Sequence, residues 1–297
     1  MHKKGLLIKG VGGLYEVLTE QGTVECRARG IFRKQGNSPL VGDRVVIEKQ
    51  KDGSRVLAEI EPRKNSLIRP PLANLDKLVL IVSTCDPYPN LFVIDKLIAI
   101  CEHKEIEPVL VITKSDCRED EELFQTYTAA GFQVMKASGQ TGEGVEAVRN
   151  LLSRGISALA GNSGVGKSTL LNAVCPELSL QTGEISKKLG RGRHTTRHIQ
   201  LYPLGKGFVA DTPGFSSLDF TRCETILKEE LPSCFREFAP YAENCRFTGC
   251  LHTARGGCAV VQAVEEGKIP RSRYESYLAL YEQVKDIREW ELKEKDV

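Results

Sequence analysis

The sequence predicts three consecutive domains: an N-terminal β-barrel, a central α/β domain with a parallel sheet, and a C-terminal helical domain. Three observations support this multi-domain organisation. Short β-rich segments separated by turn residues occupy residues 5–61, strands and helices alternate from residue 78 to residue 174, and cysteines cluster between residues 245 and 258. A chain of 297 residues is long enough for two or three domains. We place their limits at residues 1–66, 67–222 and 223–297.

The composition excludes a membrane-spanning or exported chain. Hydrophobic residues make up 41% and charged residues 27% of the sequence, which is typical of a globular protein. No apolar run approaches the ~20 residues of a membrane span, and the run Leu6–Ile8 is too short for a signal peptide. Without an export signal, the ten cysteines are expected to be reduced or to bind metal rather than to form disulfides.

The first domain is predicted to be a small barrel of the OB-fold type. Its strands are short and separated by glycine-containing turns. The five predicted strands are Leu6–Ile8, Leu14–Leu18, Val24–Ala28, Arg44–Glu48 and Arg55–Ile60.

A positive surplus lies in this first domain. Residues 1–69 carry 14 Lys and Arg against 8 Asp and Glu, which favours contact with a polyanion. OB-folds often bind RNA, and we expect phosphate contacts from Arg27, Arg29, Arg33 and Lys34. Tyr15 and Phe32 are the few aromatic candidates for base stacking. The alternatives to RNA binding are that these basic residues form a solvated surface, or that the barrel contacts another protein.

The central domain is predicted to be a doubly wound parallel sheet, because strands and helices alternate. Prolines mark a linker at residues 62–72 before it. The predicted strands are Leu78–Ser83, Pro108–Thr113, Phe132–Lys136, Ile156–Ala160 and Phe208–Ala210, and the predicted helices are Leu91–His103, Glu119–Ala130, Val145–Leu152 and Thr169–Val174.

A phosphate-binding loop lies between one of these strands and the next helix. It fits G-x-x-x-x-G-K-[ST] at every fixed position. Backbone N–H groups and the helix N-terminus would bind a polyphosphate, Lys167 would reach the β- and γ-phosphates, and the Ser168 hydroxyl would hold Mg²⁺. The residues expected to bind nucleotide here are Gly161, Asn162, Ser163, Gly164, Val165, Gly166, Lys167, Ser168 and Thr169.

A guanine-recognition motif is predicted at an earlier strand end. Thr113, Lys114, Ser115 and Asp116 resemble the Asn/Thr-Lys-x-Asp motif of GTPases, with Thr in place of the commoner Asn. The Asp116 carboxylate can accept from guanine N1–H and N2–H₂ together, and adenine lacks that donor pair. Ala137 and Ser138 resemble the second base-contacting loop, whose N–H groups meet guanine O6.

Two switch-like segments follow the phosphate-binding loop. Asp211–Gly214 resembles the Asp-x-x-Gly motif, in which Asp211 would hold Mg²⁺ and the Gly214 N–H would sense the γ-phosphate. The preceding loop offers Thr195 and Thr196, one of which would complete the Mg²⁺ coordination. Many GTPases place Gln after this motif to orient the attacking water. Phe215 occupies that position here, and His194 is our candidate for the catalytic residue.

The order of the motifs is permuted relative to an ordinary GTPase, because the guanine motif and base loop come first. A circular permutation is tolerable since domain termini usually lie close together. It also places the switch segments next to the C-terminal domain, near residue 223. We therefore expect a change at the γ-phosphate to act directly on that domain.

The C-terminal cluster predicts a structural zinc site. Cys245, Cys250, His252 and Cys258 supply three thiolates and one imidazole, which fill a tetrahedral Zn²⁺. The other cysteines, Cys85 and Cys117 among them, are interpreted as ordinary small apolar residues. Helices are predicted at Ala259–Glu266 and Ser272–Trp290, with aromatic side chains that pack rather than bind RNA.

Together these features resemble the RsgA (YjeQ, YloQ) family of circularly permuted GTPases, over nearly the whole chain. The resemblance rests on Thr113–Asp116, Gly161–Ser168, residues 192–196, Asp211–Gly214 and the Cys/His set. It implies a monomeric, cytoplasmic bacterial GTPase. Such a protein would bind the 30S ribosomal subunit and its 16S rRNA late in maturation, be stimulated by the subunit, and leave after hydrolysis. The alternatives are a nonhydrolytic GTP-dependent RNA-binding scaffold and an ATP-dependent P-loop kinase.

Overall fold

The computed structural model describes residues 2–30, 32, 36–117, 120–176, 199–211, 225–254 and 256–288. The strands are β1 (His2–Val11), β2 (Leu14–Thr19), β3 (Gly22–Ala28), β4 (Arg44–Lys49), β5 (Arg55–Ile60), β6 (Ser66–Leu67), β7 (Leu72–Ala73), β8 (Lys77–Ser83), β9 (Glu107–Thr113), β10 (Gln133–Ala137), β11 (Arg154–Ala160), β12 (Gln200–Leu204) and β13 (Lys206–Asp211). The helices are α1 (Leu91–His103), α2 (Glu121–Ala129), α3 (Val145–Leu152), α4 (Lys167–Val174), α5 (Ala239–Ala242), α6 (Ala259–Glu265) and α7 (Arg271–Val284), with 3₁₀ turns at Leu231–Cys234 and Arg236–Phe238.

The predicted five-stranded barrel is confirmed. Strands β1–β5 pair in the order β1-β2-β3-β5-β4, and β4 pairs with β1 to close the barrel. Its interior is apolar because alternate side chains point inward, and Leu7, Val17, Val45 and Leu57 are all fully buried. Phe32 is only 7% exposed and belongs to this core, so the expectation that it could stack on a base is wrong.

The expected linker forms a short ordered hairpin instead. Strands β6 and β7 pair within residues 66–73. The side chain of Asn65 donates to the carbonyl of Leu75 and accepts from its N–H, both at 2.9 Å. A bridge between Val41 and Leu72 ties the hairpin to the barrel. These contacts stabilise the segment that the prolines predicted to be the linker between the first two domains.

The central domain is a doubly wound sheet, as predicted. Strands β10, β9, β8, β11 and β13 are parallel and adjacent in that order, and β12 pairs with β13 in the antiparallel direction. One sheet face packs against α1 and α2, and the other packs against α3 and α4. Strand β12, which the sequence did not predict, also pairs with β1 through Gln200 and Lys9. The barrel and the parallel sheet are therefore joined in one sheet.

The C-terminal region packs against α1 and α2 through a buried charge cluster. The Arg273 guanidinium donates to Asp95 Oδ1 at 2.8 Å and to Glu237 Oε1 at 2.7 Å, and the Tyr127 hydroxyl donates to Asp95 Oδ1 at 2.9 Å. We call these four residues the Arg273 cluster. Arg273 is fully buried and lies over the ring of Phe235 at 4.7 Å. Such a cation is tolerated in the interior only because its charge and donors are matched.

The last helix is shorter than expected. It ends at Val284 rather than continuing to Trp290, which lies outside the described residues. The Ile287 N–H donates to the Val284 carbonyl at 3.0 Å, and the Ile287 side chain lines a cavity between α1 and α7. Within the described part of the chain, no helix is long and apolar enough to cross a membrane.

Candidate functional site

The sequence motifs gather at one edge of the parallel sheet. Strands β8, β9, β10, β11 and β13 end at Ser83, Thr113, Ala137, Ala160 and Asp211, and these carboxyl ends lie side by side because the strands are parallel neighbours. Ligands of open α/β sheets bind at this edge. The topology therefore brings the guanine motif, the base loop and the phosphate-binding loop together, although they are separated along the chain.

The phosphate-binding loop joins β11 to α4. Gly164 and Gly166 have φ values of +84° and +88°, a conformation that residues with a Cβ rarely adopt. Helix α4 begins at Lys167, so its first N–H groups face the loop. The Lys167 ammonium donates to the Gly161 carbonyl at 3.3 Å, across the mouth of the loop. The arrangement has the fixed N–H donors and the cation that an anionic ligand requires.

A threonine connects the guanine motif to the phosphate-binding loop. The Thr113 hydroxyl donates to the Val165 carbonyl at 2.6 Å and lies 3.2 Å from the Val82 carbonyl. Thr113 is 3% exposed, so this contact is shielded from water. The residue that departs from the commoner Asn of GTPases thus links two motifs directly.

The backbone of Lys114 is held in an unusual conformation. Its φ is +59°, which is uncommon for a residue with a side chain and often occurs at functional sites. The Thr84 hydroxyl donates to the Lys114 carbonyl at 2.9 Å, and the Lys114 ammonium donates to the Asp86 carbonyl at 2.6 Å. The loop that follows β8 therefore supports the guanine motif.

The Asp116 carboxylate faces the base loop. A hydrogen bond from the Ser138 hydroxyl lowers the pKa of Asp116, since it favours the charged form. The Ser138 oxygen in turn accepts from the N–H groups of Gln140 at 3.3 Å and Thr141 at 3.2 Å. These bonds orient the ionised Asp116 carboxylate, whose two oxygens can accept from two adjacent N–H donors.

The base loop also packs closely on α4. A Cβ built on Gly139 would lie 2.8 Å from the carbonyl carbon of Thr169, so only glycine permits this approach. Ala137, the last residue of β10, is fully buried. The close packing places the base loop next to the start of the helix that follows the phosphate-binding loop.

These segments line one cavity of about 240 Å³. Sequence analysis did not identify four of its lining residues: Cys85, Cys117, Gly139 and Gln140. Cys117, Gly139 and Gln140 lie within two positions of a motif residue. Cys85 follows the end of β8, and only the strand order places it beside the site. The lining residues are Cys85, Thr113, Lys114, Asp116, Cys117, Ser138, Gly139, Gln140, Gly166 and Thr169.

The remaining predicted nucleotide residues do not line this cavity, and some of them lie outside the described residues. Asn162, Ser163 and Val165 belong to the loop, Ser168 lies in the first turn of α4, and Ser115 follows Lys114. The backbone of Asp211 ends β13, next to β11. His194, Thr195, Thr196 and Gly214 lie outside the described residues.

The four predicted metal ligands meet at a second site. The ligand atoms of Cys245, Cys250, His252 and Cys258 all lie within 4.8 Å of one another. The Cys245 and Cys258 sulfurs are 3.8 Å apart, and His252 Nδ1 lies 3.6 Å and 3.4 Å from them. A tetrahedral ion with Zn–S of about 2.3 Å and Zn–N of about 2.0 Å requires S–S and S–N separations of about 3.8 Å and about 3.5 Å. The donor set and its spacing therefore fit zinc.

Neighbouring groups hold these ligands in place. Burial opposes ionisation of Cys245, but the N–H groups of Ala259 and Val260 at the start of α6 lower the pKa of its thiol. The Tyr274 hydroxyl donates to the His252 carbonyl at 2.8 Å, and His252 is 3% exposed. Tyr274 therefore packs beside the Cys/His cluster, as predicted for the C-terminal aromatic residues.

The chain matches two protein-family models. The model described as RsgA GTPase matches residues 60–221, and the model described as RsgA N-terminal domain matches residues 4–56. The chain belongs to the RsgA GTPase family. RsgA relatives cover nearly all of it. One from Caldanaerobacter subterraneus subsp. tengcongensis, named small ribosomal subunit biogenesis GTPase RsgA, is 46% identical over 95% of this chain and 96% of its own length. A relative of the same name from a Geobacillus species is 44% identical, over 95% and 98%.

Two solved RsgA-like structures share the whole architecture. YjeQ from Thermotoga maritima is 33% identical with a TM-score of 0.80, over 97% of this chain and all of the other. YloQ, titled a circularly permuted GTPase, is 37% identical with a TM-score of 0.78, over 96% of each chain. The predicted fold class and the family resemblance are both confirmed.

Proposed function

We propose that this chain is a GTPase of small ribosomal subunit biogenesis that hydrolyses GTP to GDP and phosphate. The observation that carries the proposal is the cavity in which the guanine motif, the base loop and the phosphate-binding loop meet, with Thr113 bonded directly to Val165. The names of the relatives, small ribosomal subunit biogenesis GTPase RsgA, support the biological role.

In this proposal the guanine base lies against Asp116 and the base loop. The carboxylate accepts from guanine N1–H and N2–H₂, and Lys114 packs on the base. Adenine presents no such donor pair, so a site that requires the two guanine donors rejects ATP. The same argument disfavours a P-loop kinase that uses ATP.

The phosphates lie along residues 161–169, with Lys167 on the β- and γ-phosphates. Bound Mg²⁺ would neutralise charge that develops on the phosphates, and Ser168, Asp211 and either Thr195 or Thr196 are the residues proposed to hold it. The Gly214 N–H contacts the γ-phosphate. Because Phe215 cannot orient water, His194 takes that role when the subunit docks, and hydrolysis without the subunit is slow.

The N-terminal domain, residues 1–66, supplies the contact with the 30S subunit and its 16S rRNA. Arg27 and Arg29 are both exposed, although Arg29 also pairs with Glu48, and such cations would contact the rRNA phosphates electrostatically. The C-terminal domain, residues 223–297, binds one structural Zn²⁺ at the Cys245 site. The protein acts as a monomer in the cytoplasm, where ribosomal subunits mature.

The test is GTP turnover titrated with purified 30S subunits at stated salt, because phosphate contacts weaken as salt rises. We expect slow basal release of phosphate and saturable stimulation by subunits. Lys167→Ala should abolish binding or turnover, whereas His194→Ala should bind GTP normally and lose the stimulated rate. Phosphate release that subunits leave unchanged would instead favour a nonhydrolytic scaffold, and equal competition by ATP would contradict guanine selectivity.

A further inference from the structure

Two cysteines that no motif accounts for meet at the guanine pocket. Cys85 follows β8, Cys117 follows Asp116, and both line the 240 Å³ cavity. The Lys114 carbonyl accepts from the Thr84 hydroxyl and from the Cys117 N–H, both at 2.9 Å, so the chain segments that carry Cys85 and Cys117 are held against each other. Cys117 is exposed and Cys85 is half-buried, so a small oxidant can reach the pair. Sequence patterns could not reveal this, because 31 positions separate the two residues.

We propose that Cys85 and Cys117 form a reversible disulfide that closes the guanine pocket when the protein meets a peroxide. This rests on the function proposed above. The Cys117 thiolate attacks one oxygen of hydrogen peroxide and becomes a sulfenic acid, and the other oxygen leaves as water. The Cys85 thiolate then attacks the sulfenic sulfur and expels a second water. Two thiols and one peroxide thus give one disulfide and two waters, and a dithiol reductant reverses the reaction.

The disulfide would displace the group that recognises the base. The Cys117 thiol donates to Asp116 Oδ2 at 3.6 Å, and the backbone joins the two residues. An S–S bond of about 2 Å draws the turn after Lys114 toward the β8 loop. That loop cannot retreat freely, because Thr84 and Asp86 are already bonded to Lys114. The Asp116 carboxylate is therefore displaced relative to Ser138 and to the position that binds the base.

Nucleotide binding and oxidation should exclude each other. Because both sulfurs line the cavity, a bound base covers them and slows the reaction with peroxide. Coulomb repulsion from Asp116 also raises the pKa of the Cys117 thiol. The thiol is thus mostly protonated near neutral pH, and the pair responds to sustained peroxide rather than to a brief exposure.

The experiment uses the full-length, zinc-loaded protein treated with hydrogen peroxide, with and without GDP. Mass spectrometry of peptides measures the Cys85–Cys117 link, and titration with a fluorescent GDP measures Kd before treatment, after it, and after dithiothreitol. We expect Kd to rise at least tenfold with the link, to recover on reduction, and GDP to slow link formation. For Cys85→Ser and Cys117→Ser, the ratio of oxidised to reduced Kd should stay near one.

Two controls separate this pair from other thiols. Cys26→Ser, in the barrel core, should keep the wild-type ratio. A zinc-sensitive dye confirms that the peroxide dose leaves the Cys245 site loaded. The proposal is overturned if no Cys85–Cys117 peptide forms, if the linked protein binds GDP as before, or if Cys117→Ser loses affinity as the wild type does. A reduced protein that does not bind GDP would contradict the proposed function instead, and the peptide map alone would then decide whether the link forms.

Discussion

The hydrogen bond from Thr113 to Val165 makes a direct prediction about nucleotide affinity. Thr113→Val keeps the shape of the side chain and removes the hydroxyl, so the buried Val165 carbonyl loses its 2.6 Å donor. Leaving such a group unpaired costs about 1–3 kcal/mol. The Val165 carbonyl belongs to the phosphate-binding loop. Without nucleotide the loop of the variant can relax until this carbonyl meets water, whereas bound nucleotide holds the loop in place, so the cost should appear as weaker binding.

We expect Kd for GDP to rise by roughly five- to thirty-fold, which corresponds to about 1–2 kcal/mol. The measurement is titration with a fluorescent GDP, accompanied by urea unfolding to separate binding from stability. Thr113→Ser retains the donor and should stay within about threefold of the wild type. Ser157→Ala is the matched control, because the buried Ser157 hydroxyl in β11 has no hydrogen-bond partner among the described residues.

An unchanged Kd for Thr113→Val would refute this reasoning, and so would an equal loss in Thr113→Ser. In either case the contact between the two motifs would not contribute to binding. A loss in Ser157→Ala as large as that in Thr113→Val would show that any buried change in this sheet weakens binding.

Three further predictions concern charge, metal and packing. The Ser138 hydrogen bond lowers the pKa of Asp116 below the ordinary aspartate value of 3.8, so the carboxylate should stay ionised and keep binding guanine until the pH falls below that value. Ser138→Ala should raise the pKa of Asp116 in a carbonyl NMR titration, and an unchanged pKa would exclude the bond. Elemental analysis should find one zinc per chain. The Cys245→Ser variant should lose this zinc, and the amides of residues 245–258 should then exchange faster with solvent. Unchanged amide protection in the variant would show that metal does not order this segment. Arg273→Met should lower the free energy of unfolding in urea by about 3–5 kcal/mol, because it leaves two buried carboxylates without their counter-charge. Arg271 is exposed, so Arg271→Met should change that free energy by less than about 0.5 kcal/mol. Similar values for the two variants would contradict the role of the Arg273 cluster.

The local sequence pattern predicted well the strands and helices whose own apolar side chains are buried in the core. The run Leu78–Ser83 predicted β8 closely, and Leu91–His103 predicted the limits of α1. Pattern failed where tertiary contacts override composition. Phe32 enters the barrel core, and the short strands β6 and β7, which the sequence did not predict, pair with each other.

The sequence by itself determined the kinds of binding groups in this protein. The phosphate-binding loop, the guanine motif and the four metal ligands are each contiguous or nearly so, because their chemistry requires fixed spacing along the chain. Their permuted order was also readable, since order along the chain needs no knowledge of the fold.

Only the tertiary structure decided which of these groups face one another. The bonds of Thr113 to Val165, of Thr84 to Lys114 and of Arg273 to Asp95 join residues that are distant in sequence. Each depends on which strands are neighbours and on how the C-terminal helices pack. A local sequence pattern encodes the face and period of one element, whereas side-chain contacts between elements follow from the global arrangement that buries the most apolar surface.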